Sequence, residues 1–102
     1  MPRAEFHPAA RREFDRAMDH YEAERRGLGH RFKSVVEAQV RRIERNVMTG
    51  FPSEFNTRTA LLRRFPYRVV YREFSGRLVI LAIAHFAREP EYWHSRIDDV
   101  HE

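Results

Sequence analysis

Residues 65–96 decide the fold: FPYRVVYREF (65–74), a Ser75-Gly76 turn, RLVILAIAHF (77–86), then AREPEYWHSR (87–96). Two runs rich in β-branched and aromatic residues flank a two-residue turn ending in glycine, the pattern of a β-hairpin. A two-residue loop sets Phe74 opposite Arg77, Arg72 opposite Val79, Val70 opposite Leu81 and Arg68 opposite Ile83. Side chains alternate between faces with period two. That register predicts Arg68, Arg72 and His85 on one face, beside a tail carrying Arg88, Tyr92, Trp93 and Arg96. Leu78–Phe86 is apolar on both faces, so it is expected to be a central strand covered on both sides.

Working outward, RAEFH (3–7) is a short strand candidate, and His7-Pro8 marks a helix start because proline at the first helical position loses no hydrogen bond. Ala10, Phe14, Ala17, Met18 and Tyr21 recur at helical spacing. Gly27-Leu28-Gly29 breaks that helix. A second stripe follows through Leu28, Phe32, Val35, Val36, Ile43 and Val47, interrupted by Gln39 and expected to end in a left-handed cap at Gly50. The short link predicts an antiparallel helix pair. Residues 51–58 are expected to be a loop, and Thr59–Arg64 a strand, with Pro66 at a bulge or an edge. The order is β-α-α-β-β-β. This is an α+β domain spanning 1–102, with strand and helix pair in 1–58 and sheet and tail in 59–96. The helix pair packs on one face of a small, mainly antiparallel sheet and leaves the other face for binding.

Composition narrows the function classes. Of 102 residues 42% are hydrophobic, enough for one core, and 33% are charged. No run approaches the ~20 apolar residues of a membrane helix, and no signal peptide is expected. With no cysteine there is no disulfide frame or thiolate metal site. A cytoplasmic location fits. The net charge is +4, and Lys33 is the only lysine among 19 basic side chains. Arginine binds phosphate bidentately, so nucleic acid or an acidic protein is a plausible partner; a genome that favours arginine codons gives the same composition. Arg41, Arg42 and Arg45 form a denser basic patch on the second helix.

Chemistry concentrates in the hairpin and tail. RNA cleavage through a 2′-hydroxyl needs a base, an acid and cationic donors on the phosphate. His85 can serve as acid or base, Arg68 and Arg88 can hold the scissile phosphate, and Tyr92 or Trp93 can stack on an unpaired base. The competing view makes His85 a satisfied strand-end histidine and Trp93 a lid on the core. His85, Glu89 and His94 match no standard metal spacing, so no metal and no cofactor is expected. HExxH, the glycine-rich phosphate loop and the nucleophile elbow are missing.

Taken in order, FHPAARREFDRA at 6–17, Tyr21, Gly27-Leu28-Gly29 with Phe32, FPYRVVY at 65–71 and AIAHFAREPEYWHSR at 82–96 resemble the RelE/ParE superfamily of type II toxin–antitoxin toxins. The branch is the one often labelled plasmid stabilisation protein, whose ending reads HxxRxPxYWxxR. The resemblance implies the same β-α-α-β-β-β fold and a cognate antitoxin across the open face or helix pair, with any DNA association indirect, through that antitoxin. It also implies one of two targets. ParE-like members inhibit DNA gyrase without nuclease action, and RelE-like members cut mRNA on the ribosome. For a nuclease it points to Arg68, His85, Arg88 and Tyr92 as catalytic, and for target or antitoxin binding to Arg68, Arg72, Trp93 and Arg96. Phe86 stands where a second catalytic arginine is expected, and the lysine-rich surface of ribosome binders is missing. The expectation is therefore a gyrase-binding toxin, with the mRNA endonuclease as alternative and a degenerate antitoxin-binding member as a third possibility.

Overall fold

The computed structural model describes residues 2–101. Strand β1 (Ala4–Phe6) leads into α1 (Pro8–Glu24), α2 (Leu28–Arg45) and strands β2 (Phe51–Ser53), β3 (Thr57–Leu61), β4 (Tyr67–Phe74) and β5 (Arg77–His85). A 3-10 segment at His94–Asp99 closes the tail. The sheet order is β1-β5-β4-β3-β2, with β1 parallel to β5 and the other pairs antiparallel. The α+β architecture agrees with the sequence pattern, and β5 is central as its two-sided apolar run requires.

The helices form where their chemistry directs. Pro8 occupies the first turn of α1, and His7 caps it, its Nδ1 accepting from the Ala9 N–H at 3.0 Å. At the other end the Glu22 carboxylate accepts the N–H groups of Gly27 and Gly29, both at 2.9 Å. Those bonds satisfy donors at the start of α2, whose N-cap residue, Gly27, has no side chain to cap them. Gly27 at φ 87° makes the turn. Gln39, the polar break in the α2 stripe, donates to the Leu61 carbonyl at 2.8 Å and so ties the helix to β3. Phe14, Tyr21, Phe32, Phe65 and Tyr67 pack ring against ring between helices and sheet.

Three expectations change. Residues 51–58 are not a plain loop: Phe51–Ser53 pairs with Thr57–Thr59, adding an edge strand and starting β3 two residues early. Pro66 lies in the β3–β4 turn, where its carbonyl accepts from Phe86 N–H at 2.9 Å. Gly50 is not a left-handed cap, because α2 ends at Arg45 and Gly50 has φ −83°. Its missing side chain matters for space. A Cβ there would stand 2.8 Å from the Thr59 carbonyl oxygen and 2.9 Å from the Tyr71 hydroxyl, which itself binds Gly50 N–H and the Val47 carbonyl.

The fourth change governs the site. Phe74 pairs with Arg77 and Arg72 with Val79, as the turn dictates, but Tyr71 pairs with Ile80 and Val70 with Ala82. Leu81 is an extra residue, a β-bulge. Beyond it the register slips by one, so Arg68 faces Ala84 and Tyr67 faces His85, in place of Arg68 with Ile83. A one-residue slip exchanges the faces.

Candidate functional site

Because of the bulge, Arg68, Arg72 and His85 do not share a face. Arg68 and Arg72 alternate with Val70 and Phe74 on the side away from the helices, whereas His85 joins Tyr67 on the helix side, ring centroids 5.0 Å apart. The His85 Nδ1 accepts from Ala87 N–H at 2.9 Å, which leaves the ring proton of the neutral form on Nε2.

The tail is not a free arm. Trp93, 2% exposed, lies over Val70, Ala82 and Ala84, and Ile97 and Val100 cover Phe74, Val79 and Leu81. Half of the face expected to be open is thus closed by the chain itself. The clamp that seats the tail is Glu13 of α1. Its carboxylate accepts from both terminal nitrogens of Arg96 at 2.9 Å, from the Tyr92 hydroxyl at 2.7 Å and from Ile83 N–H at 3.1 Å. Arg96 also donates to the Leu81 carbonyl at 2.9 Å. Strand β1 stops at Phe6, so these side chains serve main-chain groups of β5 beyond the last strand pair. Glu13 and Arg96 side chains are each 14% exposed. Burial, reinforced by the bond to Glu13, raises the Tyr92 pKa well above that of a free phenol. The Arg88 guanidinium sits 3.8 Å from the centroid of the Tyr92 ring.

Tyr92, Trp93 and Arg96 therefore build the tail's attachment. Glu13 was not singled out from the sequence; its only signal was a polar residue one turn before Ala17 on the buried edge of α1.

What stays open is the half of the far face next to β2 and β3. A groove of about 400 Å³ runs between Phe51, Leu61, Arg68, Phe86, Pro90 and Trp93, with Glu54 and Glu91 also lining it. Phe51, Leu61 and Phe86 are 53%, 50% and 47% exposed. Two buried donors, Arg68 Nη2 and Trp93 Nε1, have no partner there. Buried donors without a partner are rare in folded proteins. Arg72 is set apart from the groove, its guanidinium 4.5 Å from the Phe74 ring centroid and its Nη1 reaching the Phe55 carbonyl only at 3.5 Å.

Two helices lie on one side of a five-stranded sheet, with a tail clamped across the other side and an apolar groove left beside it. A family model described as "ParE toxin of type II toxin-antitoxin system, parDE" matches residues 4–90. The chain belongs to the ParE toxin family. Among solved structures it is similar to "Chromosomal ParDE TA system from P. aeruginosa", at 24% identity and a TM-score of 0.75 over 83% of this chain and 96% of that one. That likeness establishes the fold. No curated protein matches. Among the described residues no helix is long and apolar enough to cross a membrane.

Proposed function

We propose that this chain is a toxin that arrests growth by binding DNA gyrase, and that a cognate antitoxin neutralises it by covering the groove at Arg68, Phe86 and Trp93. Both partners act in the cytoplasm, and DNA is reached through the antitoxin. The observation that carries this reading is the separation of His85 from Arg68 across the sheet. General acid–base cleavage requires those groups within hydrogen-bond reach of one substrate. His85 faces α1, while Arg68 stands in the groove with the apolar Phe86 beside it. Tyr92 keeps its proton and spends its hydroxyl on Glu13.

One observation favours the second reading, a ribosome-dependent mRNA endonuclease: Arg68 lines the groove, and its Nη2 is buried there without a hydrogen-bond partner. The two separate in vitro. Titrated into a purified gyrase reaction, the chain is expected to suppress supercoiling and to leave mRNA intact in cell-free translation. Cleaved mRNA with unimpaired supercoiling overturns the gyrase assignment. Normal growth on induction without antitoxin would mark a degenerate, antitoxin-binding member.

A further inference from the structure

A second concavity lies on the helix side, where the bulge delivered His85. This cleft of about 200 Å³ is lined by Glu13, Arg16 and His20 of α1, Tyr67 of β4, His85 of β5 and Arg88 of the tail, with Tyr92 at its wall. Glu13, Arg16 and His20 are spaced i, i+3 and i+7, so one helix face supplies all three.

The charge balance of the cleft is one-sided. Glu13 is its one carboxylate, and that charge is already met by the bidentate Arg96 pair and two further donors. The Arg16 and Arg88 guanidinium groups make no ion pair or hydrogen bond among the described residues. His20 is 3.4 Å from the exposed Glu24. The neutral His85 ring carries its proton on Nε2, since Nδ1 is occupied by Ala87 N–H. Tyr67, whose pKa burial and the nearby Glu13 charge push upward, keeps its hydroxyl proton as a donor. Of the two arginines, Arg88 is also held in place. Arg88 lies on the Tyr92 ring, and Tyr92 is fixed by Glu13. A guanidinium held in position loses less entropy on binding than a free surface arginine.

We propose that this cleft binds a phosphate group, with the Arg16 and Arg88 guanidinium groups, the His85 Nε2–H and the Tyr67 hydroxyl as donors, so that the toxin itself contacts a nucleotide or nucleic acid. Two guanidinium forks and two further donors around one small cavity suit a tetrahedral polyanion better than a planar carboxylate, which one arginine already satisfies. The chain's net charge of +4 draws polyanions toward it. The proposal is independent of whether gyrase or the ribosome is the target.

Calorimetry with sodium pyrophosphate tests it on three proteins: the natural chain, the Arg16→Gln/Arg88→Gln double variant, and an Arg12→Gln/Arg41→Gln control that removes the same charge from exposed helix positions. Pyrophosphate is expected to bind the natural chain, to bind the cleft variant about tenfold or more weakly, and to bind the control within about twofold. A labelled single-stranded oligonucleotide distinguishes the sources of the phosphate. If its binding weakens in the cleft variant and its log–log salt slope falls by about one to two, the phosphate belongs to nucleic acid. Pyrophosphate binding without oligonucleotide binding assigns a free nucleotide. Amide-shift mapping on the natural chain, which needs no variant to fold, should move His85 and Arg88 and spare α2. Absence of pyrophosphate binding at about millimolar concentration, or equal weakening in the control, overturns the proposal.

Discussion

Replacing Glu13 with alanine removes one carboxylate that four donors share, and the tail should respond before the rest of the fold. The Arg96 guanidinium, 14% exposed, would be left with the Leu81 carbonyl alone, and the Tyr92 hydroxyl and Ile83 N–H would lose their acceptor. Breaking a buried pair by removing one partner costs about 3–5 kcal/mol. Both side chains keep some solvent contact, which places the expected loss near the lower end, about 3 kcal/mol. For a domain of this size that lowers the melting temperature by roughly 12–24 °C. Trp93 supplies a local readout, because it is the single tryptophan, is 2% exposed, and sits in the segment the clamp holds. Its emission in Glu13→Ala should shift to the red at denaturant concentrations where far-ultraviolet circular dichroism is still native. Adding Arg96→Ala should recover part of the loss, with a coupling energy of about 1–3 kcal/mol, since the stranded charge goes with it. A melting point within about 3 °C of the natural chain, or a coupling near zero, would refute the clamp.

Other consequences are equally direct. Tyr71→Phe removes the bonds to the Val47 carbonyl at 2.7 Å and from Gly50 N–H at 2.8 Å, and urea titration should show a loss of about 2 kcal/mol. Gly50→Ala drives a Cβ against the Thr59 carbonyl, a main-chain atom with little room to give, and should cost about 1–3 kcal/mol in the same assay. Glu22 has its pKa held below the ordinary value, first by the Gly27 N–H and then by Gly29 N–H. A depressed folded-state pKa gives stability that is present above the unfolded value and is lost as pH falls through the folded one. Melting curves of the natural chain and Glu22→Gln should therefore differ at neutral pH and converge in acid below about pH 4; a gap that stays constant with pH would contradict the assigned bonds. Under the gyrase reading, Tyr92→Phe should leave toxicity intact while lowering stability by about 1 kcal/mol, because its hydroxyl donates to Glu13.

Much of this protein was legible in its residues. Helical spacing gave α1 and the body of α2, which stops at Arg45 short of the Gly50 end the pattern predicts, and the Ser75-Gly76 turn fixed the register of the hairpin's first pairs. β2 was hidden because a three-residue edge strand containing Pro52 carries too little alternation to be seen. Glu13 was hidden because its partners Ile83, Tyr92 and Arg96 lie 70 to 83 positions away along the chain.

The sequence by itself determined that LVILAIA would be buried on both faces between two layers. It could not place the bulge, and the reason is that same uniformity. Where every position is apolar, sliding the strand by one residue exposes no polar group and buries none, so the pattern leaves the register free. Tertiary packing chose Leu81. With the extra residue there, Ile80 and Ile83 both reach the helix-side core, Leu81 and Ala82 both lie beneath the tail, and Glu13 and Arg96 take the main-chain groups of Ile83 and Leu81. That single inserted residue separates His85 from Arg68, leaving an apolar groove on one side of the sheet and an arginine-lined cleft on the other.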